Sequence, residues 1–93
     1  MRVKILKSFS IKLQLQVQYI SKDKPQAARQ FKNDIILQLK ELEIMPFKHK
    51  KSIYFEDENI RDLVFKGYTI VYRIKPEEQI VEVFGFIKYK EKL

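Results

Sequence analysis

The sequence predicts a two-layer α+β domain in which an N-terminal strand and a helical hairpin precede an antiparallel sheet of three or four strands. Three observations carry the prediction. Ala28, Phe31, Ile35, Leu39 and Leu42 recur at spacings of three and four, which lays one apolar stripe along a helix. Two β-rich runs, residues 60–65 and 68–74, meet at Lys66-Gly67, a dipeptide whose glycine accepts the positive φ of a tight hairpin. A third run, residues 79–86, follows the turn residues Lys75-Pro76-Glu77-Glu78 and alternates Ile80, Glu82, Phe84 and Phe86 against Val81, Val83 and Gly85. Helices segregated from a meander of strands pack most simply as a layer on one face of the sheet.

The elements follow in chain order. Residues 2–7 place apolar side chains mostly at alternate positions, which suggests a short strand, and Ser8 and Ser10 then offer helix N-caps. Residues 11–20 support two readings. Their strict alternation has the period of a half-buried strand, yet their Leu, Gln and Lys residues are good helix formers. Read as a helix, the segment gathers Phe9, Leu13, Val17 and Ile20 on one side and Ile11, Leu15 and Tyr19 nearly opposite. Such a helix is apolar on two faces, and its second face needs another helix or another molecule to shield it. A polar break spans residues 21–25, where Asp23 and Gln26 have the spacing of a capping box and Pro25 suits a first turn. The helix that opens there runs to about residue 44, before Met45-Pro46. Residues 47–52 read as a cationic loop holding Lys48, His49, Lys50 and Lys51, and Glu56-Asp57-Glu58 as an acidic turn. The tail beyond Phe86 is basic.

Composition narrows the classes. A chain of 93 residues suffices for one modest core, so residues 1–93 are read as a single domain. With no cysteine and one histidine, neither a thiolate site nor a histidine cluster can form, and no metal or other cofactor is expected. No apolar run approaches the roughly 18 residues of a membrane span, and the start of the chain lacks the features of a signal peptide. No membrane partner and a cytoplasmic location are therefore expected. The formal charge of +7, from 19 Lys and Arg against 12 Asp and Glu, points to an anionic partner, either a nucleic acid or an acidic protein. The plainer reading is that surplus lysine keeps a small domain soluble.

A family pattern is also present. Tyr19-Ile20, then Ala27-Ala28, Phe31, Ile35, Leu39, Leu42 and Pro46 resemble the RelE/ParE signature of a "YI" helix followed by "AA..F...I...L..L...P". Arg61 and Leu63, then Tyr68, Ile70, Tyr72 and Ile74 resemble its "R.L....Y.I.Y.I", and Val81-Glu82-Val83 resembles its closing strand. The resemblance covers about residues 9–86. It implies that residues 8–22 are helical, overruling their alternation. It further implies the toxin of a bacterial type II toxin–antitoxin, or plasmid stabilisation, system, neutralised by an acidic, partly disordered antitoxin. Ile11, Leu15 and Tyr19 then become the residues that bind antitoxin or target. A homodimer and a heterotetramer with the antitoxin both stay open as assemblies.

Two activities go with such a resemblance. ParE-like members inhibit DNA gyrase by contact and need no acid–base set; this reading leads, because the helical hairpin matches better than the catalytic residues do. RelE-like members are metal-independent endoribonucleases that cut messenger RNA on the ribosome. In that chemistry the RNA 2′-hydroxyl attacks the adjoining phosphate, helped by a base, an acid and cations. Under it the resemblance implies Arg61, Arg73, Lys51 and Tyr89 as catalytic residues, with Lys48, His49, Lys50, Lys88 and Lys90 gripping nucleic acid. Many members carry a histidine or an "RQ.P" segment where this chain has Ile87-Lys88-Tyr89-Lys90. Structural readings stand beside these. Arg61 could pair with Asp62 or a helix carboxylate, Arg73 could simply face outward, and Tyr54, Phe55, Tyr68, Tyr72, Phe84 and Phe86 sit at core spacing. A third class is a non-catalytic basic module that binds bare RNA or DNA in a salt-sensitive way.

Overall fold

The computed structural model describes residues 1–88. Its elements are β1 (Arg2–Ile5), α1 (Lys7–Ser21), α2 (Pro25–Glu41), β2 (Lys50–Lys51), β3 (Ile60–Phe65), β4 (Tyr68–Lys75) and β5 (Ile80–Lys88), with a 3-10 turn at Pro76–Glu78 before β5. The strands form one sheet ordered β1-β5-β4-β3-β2. β3, β4 and β5 are the expected antiparallel meander. Two further strands extend it to five. β1 lies parallel to β5, Arg2 opposite Ile80 and Ile5 opposite Val83, so the sheet is mixed. Parallel neighbours cannot be joined by a tight turn, and here most of the chain separates them. Lys50–Lys51 pair with Asp62 and Arg61, which turns part of the expected cationic loop into the short edge strand β2.

Residues 11–20 are helical, as the family resemblance implies and their alternation does not. The helix also begins earlier than its serines suggest. The Leu6 N–H donates to Val83 O at 2.9 Å while its carbonyl accepts from Ser10 N–H at 3.1 Å, so Leu6 is the N-cap and the strand runs directly into the helix. Neither serine caps. Ser8 Oγ donates to Phe84 O at 2.9 Å, tying α1 to β5, and Ser10 Oγ donates to Lys7 O at 3.2 Å. At α2 the N-cap is Lys24 rather than Asp23, again without a side-chain bond. The amides of Asp23 and Lys24 both donate to Ile20 O, so backbone alone closes the hairpin, and Pro25 takes the first helical position.

The stripe of α2 is buried as its spacing requires, through Ala28, Phe31, Ile35 and Leu39, with Leu42 just past the helix. Each large side chain contributes about 1.5–3 kcal/mol by leaving water, an upper figure because the unfolded chain is not fully extended. One face of α1 joins the same core: Phe9 meets Phe86 edge-on at 5.7 Å, and Leu13, Val17 and Ile20 pack alongside. The sheet supplies Leu63, Ile70, Tyr72, Ile74, Val81 and Val83.

β5 breaks its own alternation. Tyr72 pairs with Val83 and Val71 with Gly85, leaving Phe84 as an extra residue. This β-bulge shifts the parity of the strand. Val81, Val83 and Phe86 consequently all face the helices, whereas Phe84 and Ile87 face the far side. Alternation puts Phe84 and Phe86 together; the bulge separates them. Gly85 makes the bulge fit, since a Cβ there would lie 2.9 Å from Val71 Cβ. On the far face Ile60, Val71 and Ile87 carry Tyr54, Phe55 and Phe84, so the aromatic residues divide between two apolar layers. The β3–β4 turn has positive φ at both Lys66 (48°) and Gly67 (84°), the conformation that matches the twist of the flanking strands.

Because Val71 Cβ is fixed by its own backbone, Gly85→Ala is expected to destabilise the fold by about 1–3 kcal/mol, read from the urea midpoint. A variant with the parent's midpoint would show that the close approach imposes no constraint.

Candidate functional site

α1 presents its second apolar face to solvent. Ile11, Leu15 and Tyr19 are 50%, 60% and 65% exposed, the three residues singled out by their spacing opposite the buried face. Leu15 and Tyr19 border a shallow groove with Phe86 and Lys88 at the end of β5. Lys88 Nζ stands 5.7 Å from the centre of the Tyr19 ring, a cation over an aromatic face. Lys88 therefore belongs with α1. β5 is separated from β2 by β4 and β3, which puts Lys88 at least roughly 14 Å from the lysine segment at usual strand spacing. On the other flank of α1, Phe9, Leu13 and Val17 with Ile36 and Leu39 of α2 line a cleft of about 390 Å³ whose rim carries Gln14, Gln18 and Lys32.

The second cluster surrounds β2. Arg61 is held by its own protein: Nε donates to Glu58 O at 2.9 Å, Nη1 donates to His49 O at 3.0 Å, and the guanidinium lies 5.1 Å from the centre of the Phe47 ring. It thus fastens both arms of the 47–58 excursion. Neither Asp62 nor a helix carboxylate pairs with it among the described residues. Asp62 has a different task, its Oδ2 accepting the Ile53 N–H at 3.1 Å. Tyr72 reaches the loop from below, its hydroxyl donating to Pro46 O at 2.6 Å. Burial pushes this phenol up to about 12, so it stays a donor throughout the neutral range.

Register decides what these groups can do together. Arg61 pairs with Tyr72 and Ile60 with Arg73, and paired residues share a face, so Arg61 points toward the helices and Arg73 toward the far side. Arg73 is also engaged: Nη1 lies 3.8 Å from Glu82 Oε1, and the guanidinium 5.3 Å from the centre of the Phe84 ring. Glu82 is shared with Lys75, whose Nζ is 3.3 Å from Oε2. Lys51 pairs with Arg61 and Lys50 with Asp62, which splits the two lysines between faces as well. Lys48 is bonded to Glu41 at 2.9 Å. The His49 ring meets Tyr72 edge-on at 6.2 Å, and its Nε2 is enclosed with no hydrogen-bond partner among the described residues. Burial, reinforced by Lys48 and opposed by Glu41, holds the imidazole pKa below its usual 6.5. The neutral form is thereby favoured, and the Nε2 atom is enclosed by the protein. Tyr89 and Lys90 lie outside the described residues. No group of three or more His, Asp or Glu side chains suited to a metal occurs among the described residues, and no helix there is long and apolar enough to cross a membrane.

Sequence reasoning missed Asp62 and Tyr72. Asp62 carried a signal, a carboxylate between Ile60 and Val64 in a β-rich run. Tyr72 carried none, because its hydroxyl acts on a residue 26 positions away.

Comparison with known proteins bears on the whole chain. The sequence model of the family described as "ParE toxin of type II toxin-antitoxin system, parDE" matches residues 3–92. The fold is similar to that of a chain from the chromosomal ParDE toxin–antitoxin system of P. aeruginosa, with a TM-score of 0.77, 16% identity and 97% of each chain covered. At that identity the likeness speaks for the fold. No curated protein sequence matches significantly.

The lowered His49 pKa makes a pH prediction. The unfolded chain binds this proton near 6.5 and the folded one only at lower pH, so its contribution to stability is complete above 6.5 and is lost as pH falls through the folded value. The melting temperature should drop between pH 7.5 and 5.5, and His49→Gln should flatten that part of the profile. An identical drop in the variant would assign it to other groups.

Proposed function

The chain belongs to the ParE toxin family of type II toxin–antitoxin systems, and we propose that it inhibits DNA gyrase by direct contact and is neutralised by a cognate acidic antitoxin. The observation that carries this is negative for catalysis and positive for binding. Arg61 and Arg73 project from opposite faces of the sheet and are each engaged within the protein, whereas α1 leaves Ile11, Leu15 and Tyr19 uncovered. A phosphoryl-transfer site needs its base, acid and cations around one phosphate. An inhibitor that works by contact needs only complementary surface.

The antitoxin is assigned to α1. A segment with apolar side chains at helical or extended spacing would cover Leu15 and Tyr19, and its acidic residues would meet Lys12 and Lys88 at the groove's rim. The net charge of +7 favours encounter with an acidic, partly disordered chain that folds on binding. RelE-like cleavage of messenger RNA is the second reading. One observation favours it, the side-by-side pairing of Lys51 with Arg61 across β2 and β3.

Inducing the gene alone should arrest growth and relax plasmid DNA, and the purified protein should inhibit supercoiling by gyrase. Fresh messenger RNA ends at the ribosomal A site, with supercoiling intact, would transfer the case to the second reading. Leu15→Glu is expected to weaken capture by the product of the adjoining antitoxin reading frame at least roughly tenfold. The melting temperature should not move, because Leu15 is largely exposed; undiminished capture would take the antitoxin off α1. Arg61→Ala tests the second reading: it should abolish any cleavage of messenger RNA, while costing about 1–3 kcal/mol of stability through its two lost hydrogen bonds.

A further inference from the structure

A second uncovered surface lies on the opposite face and the opposite edge of the sheet from α1. Ile53 and Val64 are 83% and 70% exposed, more than any residue of the α1 stripe, and neither is part of either apolar layer. Both border one groove of about 550 Å³, whose other walls include Lys48, Lys50, Lys51 and Thr69. Its floor is built. Asp62 Oδ2 accepts the Ile53 N–H, which sets Ile53 against β3, and Val64 opposes Thr69 on the same face as Asp62. The sheet is unfinished at this edge. β2 pairs only with Arg61 and Asp62, so among the described residues Leu63, Val64 and Phe65 have β4 on one side and no strand on the other.

We infer that this groove docks an extended, acidic segment of the toxin's protein target, added as a strand alongside β3 beyond the end of β2. Three features select that occupant. The free edge offers backbone donors and acceptors to an extended chain, the mode in which main-chain bonds give affinity and alternate side chains give specificity. Ile53 and Val64 offer apolar contact to every second side chain of such a strand. Of the three lysines that line the groove, Lys48 and Lys51 are paired with Glu41 and Glu58, and Lys50, on the same face as Val64 and without an ion pair among the described residues, is left to meet a carboxylate. Nucleic acid fits less well. Its bases stack on aromatic faces, and of the aromatic side chains of this side Phe55 and Phe84 are committed to each other at 5.7 Å while Tyr54 packs with them on Ile60, Val71 and Ile87.

The inference rests on the reading of the protein as a toxin that acts by protein contact, and its test separates the two. An amide NMR titration of the full chain with an acetylated peptide of alternating Glu and Val should shift Lys50, Ile53, Val64 and Thr69, and added salt should reverse the shifts. A single-stranded RNA of similar length is titrated beside it. Two variants, Ile53→Ser with Val64→Thr and Lys50→Glu with Lys51→Glu, alter exposed side chains only. Each should melt like the parent and bind the antitoxin undiminished, yet need roughly tenfold more protein to inhibit gyrase. The inference is overturned if the peptide leaves these amides unmoved, if RNA moves them at lower concentration, or if both variants inhibit gyrase as the parent does. Loss of antitoxin binding in these variants overturns it too, by giving the groove to the antitoxin. A parent protein that leaves gyrase untouched while the peptide still binds the groove would sink the gyrase reading and sustain the groove.

Discussion

The close approach of Gly85 to Val71 is the constraint on which the two-sided character of this molecule depends. A strict strand of nine residues would commit alternate side chains to one face throughout, and β5 would then set Phe86 opposite to Val81 and Val83. The bulge at Phe84 inserts one residue and reverses the assignment midway, which only a glycine permits at this distance from Val71. Phe86 is thereby brought beneath Phe9, and its stacking with Tyr68 at 5.0 Å closes the helix-side core. Phe84 stays on the far side, where it meets Phe55 and gives Arg73 a ring to lie over.

Anchoring Phe55 has a consequence for the loop between α2 and β3. That excursion contains little regular structure, yet it is fastened at several points along its length. Tyr72 bonds to Pro46, Arg61 to His49 and Glu58, Asp62 to the Ile53 amide, and Ser52 to Ile60 and Tyr54. These bonds use groups that a nucleolytic reading would have aimed at RNA. The Arg61 guanidinium already donates to two carbonyls, and the His49 Nε2 is enclosed beside Tyr72. The shape they hold leaves Ile53 and the lysines at the surface.

α1 shows the same division at the level of one helix. Its period was hidden because an alternation of apolar and polar residues is compatible with both a strand and a two-faced helix. What separates the two is the partner available to each face. Phe9, Leu13 and Val17 find the sheet and α2, while Ile11, Leu15 and Tyr19 find solvent. A lone chain gains nothing from the outer stripe, and it is there that the proposed function places a partner.

What the sequence determined by itself is what rests on local periodicity and turn chemistry. The α2 stripe from Ala28 to Leu42, the Lys66-Gly67 turn and the meander all follow from spacing within a few residues. Helix 7–21 was legible only through its likeness to a family pattern. Tertiary structure decided the rest. The parallel β1–β5 pair joins residues nearly 80 positions apart, the bulge depends on which residue of β4 lies opposite Gly85, and the separation of Arg61 from Arg73 depends on the β3–β4 register. Nothing within a short window encodes such pairings, because register is set by the sum of side-chain fits across a whole sheet and a shift of one residue exchanges its faces.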